Sequence, residues 1–139
     1  MKIRSFEEDD TESVIALWRA CGLVVPWNDP RRDIARKMQV QAELFLVGES
    51  EGRIVATVMA GYEGHRGWLN YVAVAPDCQR RGLGRAIALH AIERLRERGC
   101  PKINLQVRAA NAEVIAFYES LGFKVDEVVS LGMRLVSDE

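Results

Sequence analysis

Strong charge of either sign is missing from this chain: 19 basic and 20 acidic residues leave a net charge of −1. A nucleic-acid-binding domain is normally strongly basic, so the balance argues against that class of partner. Long apolar runs are missing too. No stretch approaches the roughly 20 residues needed to cross a bilayer, and the start, Met1 to Phe6, lacks a signal-peptide core. The expectation is a cytoplasmic protein with no membrane partner. Cysteine is scarce: Cys21, Cys78 and Cys100 show no Cys-x-x-Cys spacing, and an odd number fits reduced thiols better than a disulfide framework. Two histidines, His65 and His90, complete no metal-ligand spacing, so no metal is expected. Low-complexity segments, internal repeats and linkers are absent. What remains, 139 residues of which 48% are hydrophobic and 28% charged, suits a single domain over residues 1–139.

The most informative stretch is 69–98. Leu69-Asn70-Tyr71-Val72-Ala73-Val74 is a short apolar run with β-branched and aromatic content, stopped by Ala75-Pro76-Asp77. Gln79-Arg80-Arg81-Gly82-Leu83-Gly84-Arg85 follows as a glycine-bearing turn. Ile87, Ala91 and Leu95, with Ala88 and Ile92, then recur at helical spacing, and Gly99 and Pro101 close the segment. The pattern predicts strand, turn, helix. The first turn of a helix leaves backbone N–H groups unpaired at the positive end of the macrodipole, a ready anion site. Gly82 and Gly84 let a ligand approach the backbone, and Arg80, Arg81 and Arg85 add positive charge. The turn reads as a pyrophosphate cradle. It is not the dinucleotide fingerprint, which needs a third glycine, nor a P-loop, since no Gly-Lys-Ser or Gly-Lys-Thr follows.

The remaining pattern predicts a first strand at Lys2 to Phe6, then a helix carrying Val14, Leu17, Trp18 and Cys21 and ended by Gly22. Asp29-Pro30 caps a second helix over about Arg31 to Gln41. Strands follow at Leu44 to Glu49 and Ile54 to Tyr62, joined by a tight turn at Glu51-Gly52. Lys102 to Val107 alternates as a strand, Asn111 to Leu121 is helical, and Lys124 to Val129 and Gly132 to Val136 read as two closing strands. The order β-α-α-β-β-β-α-β-α-β-β implies an α/β (α+β) fold, a mixed twisted sheet of about seven strands flanked by about four helices. The unit 69–107 should be parallel and right-handed.

Gln79-x-x-Gly82-x-Gly84 after Val74-Ala75-Pro76 resembles the coenzyme A loop of the GNAT (Gcn5-related) N-acetyltransferases. A second block, Asn111 to Phe123, resembles that family's last motif, and both stand in the right order and separation. The front part, with Pro26-Trp27-Asn28-Asp29-Pro30 and Gly61 to Gly67, is most similar to the bacterial YpeA-like subgroup. The resemblance implies a coenzyme A thioester, acetyl-CoA, as acyl donor and a small amine or peptide as acceptor. It implies that pantetheine lies along the backbone of Val72, Ala73 and Val74, with an N–H near Val74 as oxyanion donor. Gln79, Arg80, Arg81, Gly82, Leu83, Gly84 and Arg85 would hold the diphosphate. Tyr118 matches the general acid: a phenol with a pKa near 10 keeps a proton for a departing thiolate. It would equally pack as a core tyrosine beside Val114, Phe117 and Leu121. Asn111 matches a cofactor-bonding residue, and asparagine is also a good helix N-cap.

Trp27, Asn28, Tyr62 and Trp68 match positions bordering the acceptor site. Other members carry a glutamate where Gln106 or Trp68 stands here, so the base stays open among Glu63, His65 and Glu49, directly or through water. The resemblance implies acetyl transfer to a primary amine by direct attack in a ternary complex. Two alternatives stand beside it: a non-catalytic acyl-CoA-binding regulatory module, and a protein N-terminal or lysine acetyltransferase. A homodimer is compatible with any of these.

Overall fold

A computed structural model describes all residues, 1–139. Its contacts divide the chain into two units, residues 1–105 with Asp138 and Glu139, and residues 106–137. The first unit contains β1 (Lys2–Ser5), α1 (Thr11–Ala20), α2 (Pro30–Lys37), β2 (Phe45–Ser50), β3 (Arg53–Tyr62), β4 (Gly67–Val74), α3 (Leu83–Glu97) and β5 (Ile103–Asn104). The second contains α4 (Ala112–Ser120). The α/β class expected from the sequence is the class observed.

The five strands lie in the order β1-β2-β3-β4-β5. β1 to β4 are antiparallel neighbours, and β5 joins β4 in parallel. The β2–β3 hairpin closes through Glu51 (φ 54°) and Gly52 (φ 73°), two consecutive left-handed residues that match the twist of the flanking strands. Side chains alternate across the strands, and both faces of the sheet are buried. On one face Phe45, Val47, Val55 and Ala73 meet Val14, Ile15, Leu17 and Trp18 of α1. Phe6 stacks on Phe45 with ring centroids 4.4 Å apart. α3 packs against β3 and β4 with Ile87, Ala88, Ala91 and Leu95 buried. Helices therefore cover an otherwise continuous apolar sheet.

Three boundaries differ from expectation. α2 ends at Lys37 rather than Gln41. Gln41 instead turns left-handed (φ 52°), and its amide pairs with both backbone groups of Tyr62, as an added strand residue would. The strand expected over Lys102 to Val107 is reduced to Ile103–Asn104. The two closing strands, Lys124 to Val129 and Gly132 to Val136, do not form, so the sheet has five strands rather than about seven. Alternation makes a segment competent for a sheet, but a strand exists only where a neighbour's backbone receives its hydrogen bonds. These residues join no strand of the sheet, and Leu131 is 91% exposed.

The chain's end is anchored in the first unit. The fully buried Asp138 carboxylate takes two bonds from Arg36 (2.7 and 3.2 Å) and one from the Asp29 N–H (2.9 Å). Asp29 in turn caps α2 by accepting from the N–H of Arg31 (2.9 Å). No helix is long and apolar enough to cross a membrane.

Candidate functional site

The β4–α3 segment forms as its pattern predicts. β4 pairs with β5 only at Gly67↔Ile103 and Trp68↔Asn104, so beyond Trp68 its β5-side edge has no strand partner. Val72 and Val74 on that stretch are half-buried and Ala73 is buried. The Val74 carbonyl accepts from the Gln79 amide (3.2 Å) and the Cys21 thiol (3.2 Å). Arg80 (φ 66°) and Gly82 (φ 78°) then carry the chain through two left-handed positions into α3. The first helical bond runs from Ala86 N–H to Gly82 C=O (3.0 Å), no side chain caps this end, and no acidic residue lies in its first turn. A Cβ on Gly82 would meet nothing within 4 Å, so the backbone faces open space.

Charge is arranged to match. Arg4, Arg31, Arg36, Arg53, Arg94, Arg96 and Arg98 each hold a carboxylate. Arg80, Arg81 and Arg85 are exposed and hold none. A helix start with unpaired N–H groups, uncompensated by acids and flanked by three free guanidinium groups, attracts a polyanion.

β4 is distorted at its middle. Thr57 faces Ala73 and Met59 faces Asn70, so Tyr71 and Val72 together oppose Val58 alone, a β-bulge. Tyr71 has φ 50°, a conformation that costs a non-glycine residue of order 1–3 kcal/mol and persists only where its surroundings enforce it. Its ring stacks on Trp18 at a centroid distance of 3.8 Å, and its hydroxyl donates to Asp33 (2.7 Å). Burial, followed by the Asp33 bond, pushes the Tyr71 phenol well above its ordinary pKa.

The remaining sequence candidates fall elsewhere. Tyr62, Glu63 and His65 form the β3–β4 turn, at the opposite end of β4 from Val74, about 20 Å away at the rise of an extended chain. The Glu63 carboxylate accepts from the N–H groups of Arg66 and His65, which lowers its pKa and weakens it as a proton acceptor. The Tyr62 hydroxyl donates to Gly64 C=O (3.3 Å). Trp27, 49% exposed, and Asn28 lie in the α1–α2 connection, where Asn28 bridges back to Val25. Glu49 pairs with Arg4.

In the second unit Asn111 caps α4, accepting from Val114 N–H (3.2 Å). Tyr118, 9% exposed, has its ring edge-on to Phe117 and Phe123 at 5.0 and 5.6 Å. Burial pushes its phenol up to about 12. Gln106 donates its amide to Ser130 Oγ.

Sequence reasoning passed over Trp18, Asp33 and Thr57 as site residues. One signal was available: Thr57 is the lone hydroxyl in the apolar run Ile54 to Ala60.

Residues 7–123 match the model of the Acetyltransferase (GNAT) family. The chain belongs to the GNAT acetyltransferase family. A Yersinia pestis protein named acetyltransferase is 48% identical over 139 residues, covering 100% of this chain and 99% of its own length. An acetyltransferase of Pectobacterium atrosepticum is 48% identical over 138 residues, 99% and 98% of the two chains. Among solved structures, the ribosomal-protein-S18-alanine N-acetyltransferase of Escherichia coli superposes with a TM-score of 0.75 at 34% identity, over 88% of this chain and 77% of that one. The protein is thus a bacterial-type GNAT acetyltransferase, and the β4–α3 segment described above lies wholly within the matched family region.

Proposed function

We propose that this GNAT acetyltransferase moves the acetyl group of acetyl-CoA to a primary amine of a small molecule or peptide, by direct attack in a ternary complex. One observation carries the reading. The unpaired edge of β4 runs straight into an uncapped helix start ringed by Arg80, Arg81 and Arg85. An extended pantetheine arm pairs with such an edge, and a diphosphate suits such a helix start. Gln79 is bound to the Val74 carbonyl and so fixes the loop between the two.

In this reading the amine nitrogen bonds to the thioester carbonyl carbon, and a backbone N–H near Val74 stabilises the oxyanion. The C–S bond then breaks with its electron pair on sulfur. Tyr118 donates a proton to that sulfur and regains one from solvent, while the proton lost by the amine goes to water. A phenol held at about 12 stays protonated over the working range. Cys21 beside Val74 is no acyl carrier here: burial raises its thiol pKa, although the Val74 bond opposes the shift, so little thiolate forms. A cytoplasmic location fits the three free cysteines.

A peptide N-terminus is a second acceptor class, favoured by the 34% identity to the Escherichia coli S18-alanine enzyme. Gln106, where related N-terminal acetyltransferases place a glutamate, argues for small amines instead.

The test is calorimetry of the purified chain with coenzyme A and acetyl-CoA, followed by thiol release across a panel of amines and peptides. Heat with both ligands, and release with at least one acceptor, is expected. No heat with any acyl-coenzyme A would overturn the reading.

A further inference from the structure

One hydroxyl on the neighbouring strand β3 reaches the bulge in β4. Thr57 is the one polar side chain in the buried core, at 0% exposure. Its Oγ1 accepts from the Trp18 indole N–H (2.9 Å) and donates to the Tyr71 carbonyl (2.8 Å). Tyr71 is therefore tied at three points: its carbonyl to Thr57, its ring to Trp18, and its phenol to Asp33 (2.7 Å). The Tyr71 carbonyl is thereby turned toward a side chain, and the extra residue of the bulge stays outside the ladder.

We propose that Thr57 is a positioning residue for acetyl transfer: clamped between Trp18 and the Tyr71 carbonyl, it sets the bulge that presents the backbone of Val72 to Val74 to the thioester. This rests on the reading that the acyl donor lies along β4.

Thr57 projects from β3 on the same face as Val55, among Phe45, Val47 and Ala73. A valine of equal shape fills the space but leaves the buried Trp18 N–H and the Tyr71 carbonyl without their partner, a loss of about 1–3 kcal/mol in stability that serine, which keeps the hydroxyl, avoids. What valine cannot do is hold a left-handed tyrosine by its carbonyl. Strained backbone enforced by buried groups is the arrangement expected where a strand must re-aim its peptide groups at a ligand. The Trp18 bond adds direction: with the indole N–H occupying an Oγ1 lone pair, the hydroxyl proton is left to point at Tyr71.

The experiment compares Thr57→Val and Thr57→Ser with the full wild-type chain, by calorimetry with coenzyme A and by steady-state thiol release from acetyl-CoA with an accepted amine. Thr57→Val should keep coenzyme A affinity and KM for acetyl-CoA within about twofold, while kcat falls about 10- to 100-fold through misplacement of the reacting groups. Thr57→Ser, which keeps the hydroxyl, should restore kcat to within about threefold by the same argument. A wild-type kcat in Thr57→Val overturns the proposal. So does a loss that serine leaves unrecovered and that coenzyme A affinity shares. If Thr57→Val is recovered unfolded, Thr57→Cys decides, because its thiol fits the site but donates only weakly to the Tyr71 carbonyl. A fall in kcat at unchanged coenzyme A affinity supports the bracket, and wild-type kcat refutes it. A wild-type chain that binds no coenzyme A instead refutes the underlying reading, which separates the two failures.

Discussion

Replacing Tyr118 with phenylalanine isolates one oxygen atom. The ring packs edge-on against Phe117 and Phe123, and phenylalanine keeps both contacts. The hydroxyl makes no hydrogen bond to the protein, and no buried polar side-chain atom is left unpaired, so its removal breaks no bond. The expected stability change is under about 1 kcal/mol, the worth of a hydrogen bond that is not there to lose. The catalytic effect should be far larger. With the phenol held at about 12, only about one molecule in ten thousand is ionised at pH 8, and the group remains a proton donor. Loss of a placed general acid costs about 10²- to 10⁴-fold in rate, or about 3–5 kcal/mol of barrier. The assay is saturating thiol release from acetyl-CoA, with a thermal melt and coenzyme A calorimetry on the same preparations. Turnover within about threefold of wild type, well short of what a general acid supplies, would remove Tyr118 from the chemistry. A fall in coenzyme A affinity that matches the fall in turnover would make it a binding residue instead.

Three further outcomes can be checked. Gly82→Val should fold, since its Cβ enters open space at φ 78° and the strain is about 1–2 kcal/mol; coenzyme A affinity by calorimetry should drop, and unaltered affinity refutes the cradle. Gly67→Ala should destabilise the protein by about 1–3 kcal/mol in urea unfolding, because its Cβ would come within 2.7 Å of Cys100 Sγ and 3.1 Å of Leu95 Cδ1. Adding Cys100→Ala should restore part of that loss, and a wild-type midpoint for Gly67→Ala alone refutes the crowding. The third outcome concerns acid. Two bonds from Arg4, outweighing partial burial, hold the Asp10 carboxyl below the ordinary carboxylate range. A lowered folded pKa means stability that is present above about pH 4 and lost as pH falls through the folded value. Asp10→Asn should therefore flatten the acid limb of urea midpoints, and an unchanged acid limb would show that the pair contributes nothing.

Local features were legible in the residue order. Short apolar runs bounded by turn residues marked β2, β3 and β4, and helical spacing marked α1 and α3 with their buried faces. Glu51-Gly52 marked a hairpin that needs two left-handed residues in succession. The β4–turn–α3 unit was legible because glycine, arginine and the switch of period fall within one short stretch, as did Asn111 as the cap of α4. Where sequence reasoning failed, the deciding partner was distant. Gln41, left outside α2, bonds Tyr62, 21 residues away. The segments around Val125 and Leu135 read as strands by their residues, but join no sheet.

The order of residues alone determined the family, the α/β class and the open helix start at Gly82, because each depends on side-chain period or on backbone freedom within a few positions. Tertiary structure decided the bulge. Nothing in Asn70-Tyr71-Val72 calls for a left-handed tyrosine; Trp18, Asp33 and Thr57 impose it from three other elements. A strained conformation lasts only where packing and hydrogen bonds from elsewhere outweigh its cost, and those arrive only once the chain has folded.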